Sequence, residues 1–196
     1  MTIPTDKDPI QLFLTWFEDA KHAKIEEPTA MALATSDSKG RPSVRMVLLK
    51  NVGANGFVFY TNKESSKGQE LQKNKNAALC FYWMPIDRQV RVWGTVEVVS
   101  DEEADAYFAT RPRLAQIGAW ASKQSHPLKS RFELEKKVAF YTAKFSVKKI
   151  PRPPFWVGYR VMPDRMEFWL EKPFRLHERV LFTREEKRWK SQRLFP

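Results

Sequence analysis

Ile10, Phe13, Leu14 and Phe17 recur at helical spacing and give one apolar face. The residues before them read as a helix start, with Asp8 as N-cap, Pro9 in the first turn and Gln11 completing a capping box. The pattern predicts a helix over about residues 8–23. From Thr29 the period shortens to that of strands: Met31–Ser36, Ser43–Lys50 and Phe57–Thr61, separated by Lys39-Gly40-Arg41-Pro42 and Gly53-Ala54-Asn55-Gly56. A short helix is predicted over Ser66–Lys73. Ala77–Met84 is apolar on both faces, which predicts a fully buried strand. In Gln89–Val99, Val90, Val92, Val96 and Val98 share one face and Arg91, Trp93, Thr95 and Glu97 the other.

Further helices are expected over Asp101–Arg111, stopped by Pro112, and over the charged stretch Leu128–Phe145. Pro151-Arg152-Pro153-Pro154 reads as a stiff connector. The segments Phe155–Val161, Arg165–Leu170, Arg179–Thr183 and Arg188–Leu194 then read as a closing antiparallel set, so C-terminal strands occupy about 155–196. Many short strands with interposed helices define a mainly β (α+β) chain, a small barrel decorated with helices, as one domain over 1–196.

Composition narrows the chemistry. One cysteine, Cys80, rules out an internal disulfide framework, and three dispersed histidines argue against a zinc site. No basic-then-apolar leader and no membrane-length apolar run is present, so the expected compartment is the cytoplasm. The formal net charge is +11, and it is unevenly spread. Residues 1–122 carry 15 Lys/Arg against 15 Asp/Glu, whereas residues 123–196 carry 19 against 8. A one-sided excess fits an anionic partner near the C-terminal part, or simply a solvated basic surface.

Glycine-rich phosphate loops, His-Glu-x-x-His and serine nucleophile elbows are absent, so phosphate recognition would fall to Arg, Lys, hydroxyl and amide side chains. Arg45-Met46-Val47-Leu48-Leu49-Lys50 places a cation at each end of an apolar strand. An ideal strand points the two to opposite faces, so both reach one pocket only through a bulge or with Lys50 beyond the strand end. Ser65-Ser66-Lys67 at a helix start suits an anion, or is an ordinary cap. Tyr107 and Arg111, four apart, stack on one helical face as a phosphate clamp or as a cover for the core. In Arg175-Leu176-His177-Glu178-Arg179 the basic side chains alternate. An extended backbone would point all three one way, on a face without acids, to meet an anion or to defend a sheet edge.

In this order the motifs resemble the pyridoxamine 5′-phosphate oxidase family. Pro28–Met31, Arg45–Lys50, Phe59–Asn62, Gln89-Val90-Arg91, Arg111-Pro112-Arg113, Gln116–Trp120, Ser122–Ser125, Phe155-Trp156, Glu167-Phe168-Trp169, Arg175–Arg179 and Arg193–Pro196 carry the resemblance, over roughly residues 9–196. It implies an FMN-binding split β-barrel that forms a homodimer with FMN between the subunits. Implied flavin contacts are Arg45, Met46, Val47, Leu48, Tyr60, Thr61, Ser66, Lys67, Gln89, Gln124, Ser125, Trp169 and Arg179. Implied substrate contacts are Lys50, Tyr107, Arg111, Arg175 and His177, the last two lying against the substrate ring as catalytic residues. The implied reaction is oxidation of pyridoxamine or pyridoxine 5′-phosphate by O2 to pyridoxal 5′-phosphate and H2O2, without metal, membrane or nucleic acid. Ser66 and Ala115 stand where the family commonly has Arg and Ser, and the chain begins just before its first helix, without the family's usual N-terminal lid. These departures predict weaker substrate capture or a different substrate. The rival readings are a flavin oxidase of the same fold acting on a dihydrophenazine-like ring, a non-catalytic flavin or pyridoxal phosphate binder, and a colourless nucleic-acid-binding barrel.

Overall fold

The computed structural model describes residues 2–130, 132–186 and 188–196. Its first helix, α1 (Pro9–His22), starts as the sequence predicts: the Asp8 carboxylate accepts from the Ile10 and Gln11 amides at 2.8 and 3.1 Å. The strands are β1 (Ala30–Ser36), β2 (Pro42–Leu48), β3 (Asn51–Gly53), β4 (Gly56–Asn62), β5 (Asn76–Trp83), β6 (Arg88–Val98), β7 (Trp156–Leu170), β8 (Glu178–Glu185) and β9 (Arg188–Leu194). Helix α2 (Ser66–Lys73) follows β4; α3 (Asp101–Thr110), α4 (Arg113–Ala121) and α5 (Glu133–Phe145) lie between β6 and β7.

The sheet order is β2-β1-β5-β6-β7-β4-β3, with β8 and β9 added beyond β7, and every pairing is antiparallel. Beyond β2, the Lys50 amide donates to the Val58 carbonyl at 2.8 Å, which brings the two sides of the sheet together as a barrel. Its interior holds Met31 and Leu33, Phe57 and Phe59, Leu79 and Phe81, Val90 and Val92, and Met166 and Phe168. Helix α1 packs on this core: Phe13 meets Phe57 and Phe81 edge-on, centroids 4.8 and 4.9 Å away. A second core, Phe108, Ile117, Phe145, Ile150 and Trp156, joins α3, α4 and α5 to the start of β7. Among the described residues no helix is long and apolar enough to cross a membrane.

Four expectations are corrected. Strand β5 is buried on one face only: Ala77, Leu79, Phe81 and Trp83 point inward, while Tyr82 is 55% exposed on the other face. The predicted strands Phe155–Val161 and Arg165–Leu170 are one strand, β7, continuous through Pro163. A proline is tolerated there because the register shifts between Trp93 and Gly94, which lies opposite it. Val98, read as sharing a face with Val90, Val92 and Val96, is exposed at the last position of β6, whereas those three are buried. The last helix begins at Glu133 rather than Leu128, after a loop containing Pro127 and a left-handed Ser125, and α4 and the three-residue β3 were not anticipated.

Candidate active site

At one end of the barrel, β2, β4 and α2 assemble a cationic pocket. Arg45 shares the inward face of β2 with Ser43, because Arg45 registers with buried Leu33. Its guanidinium donates to the Thr35 hydroxyl and, at 3.1 Å, to Glu70. One helical turn before Glu70, buried Lys67 donates from Nζ to the Thr61 hydroxyl at 3.3 Å, and Thr61 donates to Gln124 Oε1 at 3.1 Å. Burial, and then the nearby Arg45 charge, hold the Lys67 ammonium below the usual lysine range. Ser66 opens α2 and is exposed; Val47 is half-buried on the inner face; Met46 and Leu48 face outward. Lys50 is exposed past the end of β2, the second of the two arrangements its spacing allowed. Ser125 sits in an exposed loop beside Gln124, with φ 69°.

Next to this pocket is an aromatic stack. Tyr60 packs near-parallel to Tyr107, at 4.2 Å and 13°, and to Trp156, at 4.9 Å and 5°, and those two rings lie 6.1 Å from each other. Burial, with help from the Glu103 carboxylate, pushes the Tyr60 phenol up to about 12, so it remains a neutral hydroxyl at physiological pH. The Arg111 guanidinium lies 5.1 Å from the Trp156 ring centre, and its Nη1 is buried without a hydrogen-bond partner among the described residues. An orphaned guanidinium nitrogen is costly unless a ligand completes it. Arg111 lines a cleft of about 380 Å³ with Tyr60, Thr61, Ala115, Gly118, Gln124 and Trp156. The structure thus gathers Arg45, Tyr60, Thr61, Lys67, Tyr107, Arg111 and Gln124 in one neighbourhood.

The remaining candidates sit at the far end of β7. Gln89, Trp169 and Arg179 are direct cross-strand neighbours on β6, β7 and β8, so they form one outward-facing rank. His177 packs on Trp169 with centroids 4.7 Å apart, and its Nδ1 accepts the Lys172 amide at 3.3 Å. The neutral imidazole therefore carries its proton on Nε2.

Two features of the Arg175–Arg179 reading are overturned. The backbone is not extended there: Phe174 and Arg175 have φ of 60° and 61° in a turn, and β8 begins only at Glu178. Nor is the cationic face free of acids, because Glu167, 4% exposed, accepts from Arg179 at 3.0 Å and from Arg91 at 2.6 Å. Glu178 in turn accepts from Arg193 and from the Ile3 amide. Glu70, Thr35, Ser43, Glu167 and the ring of Trp156 were not singled out as site residues in the sequence, since their partners lie on other strands.

A helix-decorated split barrel, with a cationic, aromatic-lined cleft at one end and a basic rank of side chains at the other, is the class these observations define. Residues 17–144 match the family model described as pyridoxamine 5′-phosphate oxidase, and residues 156–196 match the pyridoxine 5′-phosphate oxidase C-terminal dimerisation region. The chain is 58% identical over 191 residues to a pyridoxine/pyridoxamine 5′-phosphate oxidase of Brucella canis, covering 96% of this chain and 94% of that one. Among solved structures it resembles PhzG from Burkholderia lata, determined with tetrahydrophenazine-1-carboxylic acid, at 34% identity and a TM-score of 0.93 over 98% of this chain and 94% of the other. A pyridoxamine 5′-phosphate oxidase-related, FMN-binding protein from Nostoc punctiforme shares the fold, at 17% identity and a TM-score of 0.77 over 97% of this chain and 100% of that one. The chain belongs to the pyridoxamine 5′-phosphate oxidase family.

Proposed function

We propose that the protein is an FMN-dependent oxidase that converts pyridoxamine and pyridoxine 5′-phosphates to pyridoxal 5′-phosphate, with O2 consumed and H2O2 released, and that it acts as a homodimer. The observation that carries this reading is the cleft in which the orphaned Arg111 Nη1 lies beside the Tyr107–Tyr60–Trp156 stack. Such a site offers charge to a phosphate and flat surface to a ring.

Two protomers supply the parts. Trp156 and Trp169 lie at opposite ends of β7, separated by on the order of 40 Å of strand path. The cationic pocket and the Gln89–Trp169–Arg179 rank meet on one ligand when the rank of one copy abuts the pocket of another. The outer face of β2 supports such pairing: Val44 and Met46 are 71% and 65% exposed, in register with the small side chains Ala34 and Ala32 of β1.

Bound FMN would accept the two electrons and the hydrogen removed from the substrate carbon and later deliver electrons to O2. Arg45 and Lys67 would hold its phosphate, with Thr61 and Gln124 beside it; Lys50, Tyr107 and Arg111 would hold the substrate phosphate. Arg175 and His177, from the second protomer, would lie against the substrate ring. With Nδ1 engaged by Lys172, the His177 Nε2–H is the atom available to hydrogen-bond the substrate.

The purified protein should show flavin absorbance. Pyridoxine 5′-phosphate added under air should yield pyridoxal 5′-phosphate and peroxide in equal amounts. A colourless protein with no affinity for added FMN would end this reading. Ala115, which removes a hydroxyl from the cleft, and the likeness to PhzG favour a second one, oxidation of a reduced tricyclic carboxylate. Faster turnover of a dihydrophenazine carboxylate than of pyridoxine 5′-phosphate would select it.

FMN affinity should also depend on pH through Lys67. A dianion raises the pKa of a lysine it contacts, so affinity is full while the free-state ammonium is protonated and falls as pH rises through its depressed pKa. The decline should begin below the ordinary lysine range. Fluorescence titration with FMN across alkaline pH checks this, and a Lys67→Met variant should lose the dependence along with much of the affinity.

A further inference from the structure

Glu70 sits in a pocket otherwise built for anions, which is an unexpected place for a carboxylate. Its Oε1 accepts from the Ser43 hydroxyl at 2.9 Å; its Oε2 accepts from the Thr35 hydroxyl and from Arg45 Nη2 at 3.1 Å. The three donors come from β1 and β2, while Glu70 itself rides on α2, three residues after Lys67 and therefore on the same helical face. Burial opposes its ionisation, yet the hydrogen bonds from Thr35, Ser43 and Arg45 keep the carboxyl below its usual range, so it is charged throughout the physiological range.

Arg45 is anchored on two sides. Nη2 engages Glu70, and Nη1 engages the Thr35 hydroxyl and, at 3.4 Å, the Leu33 carbonyl. The guanidinium plane is thus fixed before any ligand arrives. Lys67 makes no ion pair with Glu70; its ammonium is held by Thr61 alone among the described residues. Arg45 and Lys67 repel one another, and Glu70 is the negative charge that lets both remain in place.

We propose that Glu70 is a positioning residue for phosphate recognition: it orients Arg45 and offsets its repulsion with Lys67, so that the pair meets the flavin phosphate with no rearrangement. This rests on the FMN reading above. The rigid guanidinium loses little freedom on binding, which is the energetic benefit of the arrangement.

The test compares FMN with riboflavin, which lacks the phosphate, on wild-type protein and on Glu70→Ala, Glu70→Gln, Arg45→Ala and the Arg45→Ala/Glu70→Ala double variant. Glu70→Ala should weaken FMN about tenfold, the scale of one charge-assisted hydrogen bond, and leave riboflavin unchanged. Glu70→Gln, which can still accept from Arg45 and Thr35 but carries no charge to offset the Arg45–Lys67 repulsion, should recover part of the FMN affinity lost in Glu70→Ala, and Glu70→Ala should add nothing once Arg45 is gone. Equal losses for FMN and riboflavin in Glu70→Ala would mark a merely structural role and overturn the proposal. So would a Glu70→Gln variant as weak as Glu70→Ala, or full additivity in the double variant. If wild-type protein binds neither flavin, the FMN reading fails, whatever the variants do.

Discussion

Two inactive variants should regain about a quarter of wild-type activity when co-expressed, one carrying Lys67→Ala and Arg111→Ala and the other His177→Ala and Arg179→Ala. The expectation follows from β7, which places the first pair of residues near its start and the second near its end. In the two-fold dimer proposed above, each site takes its cationic pocket from one copy and its rank from the other. A mixed dimer then holds one site with all four changes and one with none. Random pairing makes about half of the dimers mixed, and half of the sites in those are intact, which gives roughly one site in four. Each variant alone has no intact site and should turn over at background rate. Pyridoxal 5′-phosphate formation by the affinity-purified mixture is the measurement. A mixture no more active than its components would show that each site is built within one chain.

Arg111→Leu should lower kcat/KM for pyridoxine 5′-phosphate by about 10- to 150-fold, corresponding to the ~1.5–3 kcal/mol of a hydrogen bond to a charged group. Leucine keeps apolar bulk against Phe108 and Trp156, so the fold should survive while the orphaned Nη1 disappears. The loss should fall mainly on KM, because the phosphate is remote from the reacting carbon and is held in ground and transition states alike. Unphosphorylated pyridoxine should be turned over equally by both proteins. Steady-state kinetics with the two substrates decides the matter: an equal loss for both would place Arg111 in the support of the stack rather than in phosphate recognition.

Local features were readable from the chain alone. The Asp8 cap and the α2 boundaries follow from side-chain capping, and short apolar runs between turn residues place the ends of β1 and β4 to within a residue. The candidate residues on β2, β4 and α3 were visible as basic or phenolic groups at strand and helix ends. What escaped was set by partners distant in sequence. Glu167 faces Arg91 across β6 and Arg179 across β8, and Glu70 reaches Arg45 from a helix 25 positions later; no local spacing announces either. Alternation also cannot tell a strand buried on both faces from one with an apolar outer face, hence the misreading of β5. Helix α4 carries an apolar stripe, yet Pro112 stands at its N-cap with no side-chain cap hydrogen bond, so no local start signal marks it, and Ile117 anchors it by packing with Phe145 and Ile150.

The length of β7 has a consequence for the protein at low abundance. On the pairing proposed above, one copy holds the beginning of one reaction chamber and the end of another, so an unpaired copy holds two fragments and no whole. Specific activity should then decline on dilution in step with dissociation, and newly made chains would stay silent until they find a twin.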